Sequence, residues 1–88
     1  MIEDKITISN KAGLHARAAA RLVEVVSQFE SQFEIGNPEK MVDGKSILSI
    51  MLLAASPGTE LDIKLDGNDE NEALSAINAL VDNKFDEE

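Results

Sequence analysis

The chain has 88 residues, 43% of them hydrophobic, and its 17 acidic side chains against 8 basic ones give a formal charge of −9. One domain of that length, spanning residues 1–88, buries only ~60% of its surface on folding, and a surface so acidic excludes nucleic acid, whose phosphates demand cations. With no cysteine and one histidine there is no disulfide framework, thiol chemistry or metal cluster; the longest apolar stretch, residues 47–55, is too short for a bilayer, and the start lacks a secretory signal, so a soluble cytoplasmic protein is expected.

Ile2, Ile6 and Ile8 share one parity in a β-branched run and predict a first strand. After the turn around Gly13, residues 16–26 carry Ala19, Leu22, Val23 and Val26 at helical spacing, so a first helix buries that face. Phe33 and Ile35 alternate with polar residues, Asn37-Pro38 signals a turn, and Met41-Val42 predict a short return strand. Ser46 opens a second helix expected to run from Ile47 to Leu53; Leu61, Ile63 and Leu65 mark a fourth strand, and Ala73, Leu74, Ile77, Leu80 and Val81 a final amphipathic helix. The order βαββαβα, with strands polar on alternate positions, predicts an α+β two-layer sandwich whose helices cover one side of the sheet.

The most informative segment is Asn10-Lys11-Ala12-Gly13-Leu14-His15-Ala16-Arg17, which places the histidine at a strand-to-helix junction. A helix starting just after His15 directs the backbone N–H groups of Ala16, Arg17 and Ala18 outward with the positive end of its dipole, a favourable place for an anion. Arg17 adds a cation with a forked donor set. The same two features disfavour an imidazolium and leave a ring nitrogen able to attack. A phosphoryl group captured there would bring its charge to donors already in place. The plainer alternative makes His15 a cap residue and Arg17 a solvated surface charge.

Two further features bear on function. Ser46 is a good N-cap, worth ~1 kcal/mol, which by itself justifies the residue. The helix that follows is too apolar for a one-sided element: Ile47, Ile50, Met51 and Ala54 form one row and Leu48, Leu52 and Ala55 another, so some of it stays exposed. Ile47, Leu48 and Met51 are the residues expected on that surface, as a docking patch. Charge is also uneven. Residues 1–30 hold four acids and four bases, whereas residues 57–88 hold ten acids against Lys64 and Lys84, so the His15 end is the least acidic. That asymmetry orients a partner with an acidic dock, or serves only as a solubility device.

The segment around His15 resembles the active-site loop of the HPr phosphocarriers of the bacterial phosphotransferase system. Gly44-Lys45-Ser46-Ile47-Leu48-Ser49-Ile50-Met51 is similar to that family's segment around its regulatory serine, in matching register. The resemblance covers nearly the whole chain. It implies a four-stranded antiparallel sheet covered on one face by three helices. It also implies that His15 accepts phosphate on Nδ1 from phosphoenolpyruvate-charged enzyme I and passes it to a IIA-type domain, and that Ser46 is a site for an HPr kinase/phosphorylase. A monomer without cofactor or metal, itself a protein substrate rather than an enzyme, is the expected form. One position departs: the family usually has proline where this chain has Ala18, which keeps the helix but leaves its start less rigid.

Two other function classes fit the same pattern. A regulatory binding module would act through Ser46 and the apolar patch on a transcription factor or enzyme. A ferredoxin-like small-molecule sensor shares the βαββαβ order but needs an inter-strand pocket of which the sequence gives no sign. Within the carrier class, Lys84-Phe85-Asp86-Glu87-Glu88 is similar to the tail of the nitrogen-branch carriers and Lys45-Ser46-Ile47 to the sugar branch.

Overall fold

Alternation of apolar and polar residues in residues 32–35 and 60–66 sets the buried and exposed faces of the sheet. In a computed structural model that describes residues 1–86, the elements in chain order are β1 (Ile2–Thr7), α1 (Ala16–Val26), β2 (Gln32–Asn37), β3 (Lys40–Asp43), α2 (Ile47–Met51), β4 (Glu60–Asp66) and α3 (Glu70–Asp82). The four strands form one antiparallel sheet of order β1-β4-β2-β3. In register, Ile6 faces Leu61, Phe33 faces Leu65 and Ile35 faces Ile63, so one face is a continuous apolar layer, all of it buried. The three helices cover this layer, and the α+β open-faced sandwich is the architecture that the sequence pattern predicts.

The opposite face of the sheet stays in water and is held by cross-strand charge pairs. Lys5 Nζ lies 3.1 Å from an Asp62 carboxylate oxygen and 3.7 Å from one of Glu60, while Lys64 Nζ is 4.0 Å from Glu3. Exposed pairs of this kind contribute about 0–1 kcal/mol each. Burial does more: Ile8, Leu22, Ile35, Ile63, Leu65 and Ile77 are almost fully enclosed, and each such side chain contributes about 1.5–3 kcal/mol relative to exposure.

α1 turns Ala18, Ala19, Leu22 and Val26 inward and leaves Val23 only partly covered. α3 buries Ala73, Ile77, Leu80 and Val81. Its N-cap residue Asp69 does not cap the helix with its side chain. That carboxylate instead accepts from the backbone N–H of Glu30 at 2.8 Å, the N–H of Ser31 at 2.9 Å and the Ser31 hydroxyl, tying α3 to the entrance of β2. The Ser31 hydroxyl, followed by the Glu30 amide, holds the Asp69 carboxyl below the usual carboxylate range.

Two local details differ from the sequence expectation. α2 ends at Met51 rather than Leu53, because the chain tightens into i→i+3 bonds, Leu53 N–H to Ile50 O at 3.1 Å and Ala54 N–H to Met51 O at 3.0 Å, and Ala54 then turns left-handed at φ 50°. Beyond α3, Lys84, Phe85 and Asp86 make a left-handed turn with φ of 53°, 58° and 63°. Burial of Phe85, 2% exposed, and the Asp86 ion pair with Arg21 hold that turn in place. Periodicity carries no sign of it, since a three-residue turn has no repeat. Glu87 and Glu88, the end of the tail singled out above, lie outside the described residues. Among the described residues no helix is long and apolar enough to cross a membrane.

Candidate functional site

The loop from β1 to α1 is shaped by six hydrogen bonds. Ile8 continues the β1–β4 pairing, donating to Thr59 O at 2.9 Å and accepting from Gly58 N at 2.7 Å. The chain then reverses through a turn closed by Gly13 N–H to Asn10 O at 3.2 Å and by Asn10 Nδ2 to Gly13 O at 2.7 Å. Leu14 N–H donates to Ala55 O at 2.9 Å, and His15 N–H to Gly13 O at 3.0 Å. Gly13 sits at φ +73°, and a β-carbon there would lie 2.7 Å from Ala55 O, 3.2 Å from Ser56 Cα and 3.3 Å from Pro57 Cδ. Only glycine suits both the backbone angle and the close approach of the segment that follows α2.

His15 is the N-cap of α1, in extended conformation with φ −87° and ψ −175°. Its Nδ1 accepts a hydrogen bond from the Arg17 backbone N–H at 3.1 Å, and its carbonyl accepts the first helical bond from Ala19 N–H at 2.8 Å. A backbone N–H can only donate, so Nδ1 presents a lone pair to the helix axis, and a neutral ring carries its proton on Nε2. The ring is half-exposed. The helix therefore begins where the sequence places it, and Ala16, Arg17 and Ala18 supply first-turn amides that lack intrahelical acceptors. The capping role belongs to Nδ1, the nitrogen that the family resemblance implies as the phosphate acceptor.

Arg17 enters the site through its backbone. Its exposed side chain lines a shallow groove with Ala20, Arg21, Glu24, Phe85 and Asp86, and among the described residues no ion pair engages its guanidinium. Arg21 is the arginine that is held: Nε lies 2.6 Å from an Asp86 carboxylate oxygen, and Glu24 pairs with the same guanidinium. That pairing, with the Asn83 amide, keeps the Asp86 carboxyl below its ordinary range.

Ser46 caps α2 as expected, its Oγ accepting from Ser49 N–H at 3.3 Å and its carbonyl from Ile50 N–H at 3.1 Å. Lys45 before it is anchored, Nζ donating to Phe29 O at 2.9 Å near the end of α1. Ile50 is the buried residue of α2. Ile47 (41%), Leu48 (67%) and Met51 (39%) are exposed, and so is Leu52 at 71%, which the sequence expectation for the surface omits. Leu52 follows the helix as its C-cap, so helical spacing alone cannot say which way it points. α2 packs beside α1, and its exit at Ala55 backs the Gly13 turn. The apolar ridge and the histidine cap therefore belong to one end of the molecule.

Fold and site together define a small open-faced sandwich that offers a histidine at a helix N-terminus next to an apolar ridge. Residues 2–83 match the family described as the PTS HPr component phosphorylation site. A phosphocarrier protein HPr of Pseudomonas aeruginosa is 52% identical over 84 residues, covering 94% of this chain and 93% of its own. One of Xylella fastidiosa is 44% identical over 88 residues, covering 100% and 99%. The crystal structure of HPr-C-His from Thermoanaerobacter tengcongensis superposes with a TM-score of 0.93 at 44% identity, over 100% of this chain and 99% of that one. The chain belongs to the HPr family of phosphocarrier proteins.

Proposed function

We propose that this chain, a single cytoplasmic domain, carries a phosphoryl group on His15 Nδ1 between enzyme I and a IIA-type domain in sugar uptake. The observation that carries this reading is the hydrogen bond from Arg17 N–H to His15 Nδ1. Transfer runs as a displacement. The Nδ1 lone pair forms the new N–P bond while the bond from phosphorus to the donor histidine breaks and its electron pair stays with that ring. The Arg17 N–H, released from Nδ1, faces a phosphoryl oxygen instead, joined by the first-turn amides of Ala16 and Ala18 and the helix dipole. The Arg17 guanidinium swings from its groove to the same group. The backbone amides and the helix dipole are fixed by the start of α1 before transfer, so the guanidinium is the group that has to move far.

Partners dock on the ridge of Ile47, Leu48, Met51 and Leu52, and the carrier acts as a monomer that uses neither cofactor nor metal. Leu48→Glu places a charge on a residue two-thirds exposed, so stability should change by no more than about 0.5 kcal/mol. The KM for the carrier in its reaction with phosphorylated enzyme I should rise about tenfold, the effect of roughly 1.4 kcal/mol lost from one docking contact. Thermal melting and initial rates measure the two effects separately, and a collapse in melting temperature would assign Leu48 to the core.

Ser46 is the regulatory position, addressed by an HPr kinase/phosphorylase. Phosphate there is tolerated by the start of α2 but sets about two negative charges beside the ridge, repelling an acidic partner. Ser46→Asp preserves the cap, so the variant should melt with the parent while taking phosphate from enzyme I about tenfold more slowly. An unchanged rate would remove the inhibition.

The direct test of the carrier reading is incubation with enzyme I, magnesium and labelled phosphoenolpyruvate. The expected product is acid-labile protein-bound label that a IIA domain discharges. No label, or acid-stable label only, would favour the binding-module reading instead.

A further inference from the structure

We infer that Asn10 is a positioning residue for transfer, acting on His15 through the carbonyl of Gly13; the inference rests on the carrier reading above. Asn10 and Ser31 are the buried polar residues among those described, and Asn10 is fully enclosed. A buried amide is unfavourable unless its hydrogen bonds are made, so a side chain of this kind is kept where its geometry matters. Its Nδ2 donates to Gly13 O at 2.7 Å, shorter than the backbone bonds within the turn at 3.0 and 3.2 Å.

The acceptor gives that bond its consequence. Gly13 O also receives the His15 N–H at 3.0 Å, so two donors converge on one oxygen and occupy both of its lone pairs. Asn10 additionally holds Gly13 by the backbone, accepting its N–H at 3.2 Å. On the far side, Leu14 is buried and bonded to Ala55 O at 2.9 Å. The Gly13–Leu14 peptide is thus pinned from both directions. Gly13 has no side chain to resist rotation at its φ of +73°, and the Asn10 amide supplies the resistance. Without it the peptide plane can tilt and carry the His15 N–H and ring with it, away from the first-turn amides. Displacements of about 1 Å at a reacting group cost up to about 100-fold in rate.

The test uses the full chain with Asn10→Ala and Asn10→Leu, the second filling the same buried space without a donor should the first fail to fold. Backbone amide exchange is read at His15 and at the core residues Ile35 and Ile63, beside kcat and KM for transfer from phosphorylated enzyme I. The expected result is His15 exchange faster by about tenfold than any change at Ile35 or Ile63, with kcat down about tenfold and KM within about twofold. Equal acceleration at all three amides, or kcat unchanged per folded molecule, would reduce Asn10 to a structural residue and overturn the proposal. A parent that takes no phosphate refutes the carrier reading, while the exchange comparison still decides whether Asn10 holds His15.

Discussion

Replacing His15 by asparagine should leave the protein as stable as the parent and abolish its capacity to hold acid-labile phosphate. The two effects separate because the proposed function gives His15 a second job on the atom that caps the helix. As N-cap it accepts the Arg17 N–H on Nδ1 in extended backbone geometry. Asparagine is among the best residues for that task, and its side-chain oxygen accepts the same donor. As nucleophile it offers a ring lone pair, which an amide does not have. His15→Ala removes both functions: it should lose all phosphate and, with the cap gone, about 1 kcal/mol of stability, which for a domain of this size lowers the melting temperature by about 4–8 °C. Label on His15→Asn would show that phosphate enters elsewhere.

The largest loss of stability is expected for Gly13→Ala. An alanine held at φ +73° costs roughly 1–2 kcal/mol from its β-carbon alone. That carbon would also lie 2.7 Å from Ala55 O and 3.2 Å from Ser56 Cα, and main-chain atoms cannot rotate aside as a flexible side chain would. Relief requires the loop before α1 and the segment after α2 to part, a strain of about 1–3 kcal/mol. Together these amount to about 3 kcal/mol, or about 15 °C in melting temperature. Because Gly13 O receives the His15 N–H, parting the loops also displaces the ring, so the folded fraction should transfer phosphate more slowly than the parent. Calorimetry and initial rates on the same preparation check both. A loss under about 1 kcal/mol would mean that the two loops separate easily.

Much of this arrangement is legible in the residues. The shared parity of Ile2, Ile6 and Ile8, the alternation at Leu61, Ile63 and Leu65, and the helical spacing of Leu22 and Val26 each report a local periodicity that the core then uses. The start of α1 directly after His15, and the cap at Ser46, follow from residue types whose local bonding sets a boundary. Other features depend on which distant segments meet. Leu52 is apolar in a helical row, yet α2 has ended before it and the side chain faces water. Nothing in the spacing of the residues marks Asn10 as buried, yet it is fully enclosed in the fold. Arg21 carries no sign of a partner until the left-handed turn delivers Asp86 to it. Sequence spacing holds no record of such contacts, because they arise from packing between elements far apart in the chain.

The measurement nearest to the central claim is nitrogen and phosphorus NMR on the protein after charging by enzyme I and phosphoenolpyruvate. The expected spectrum shows phosphorus coupled to Nδ1 of His15, with the Arg17 backbone amide proton shifted as it exchanges the ring nitrogen for a phosphoryl oxygen. Phosphorus coupled to Nε2, or an Arg17 amide unmoved by charging, would contradict the proposed role of the helix cap.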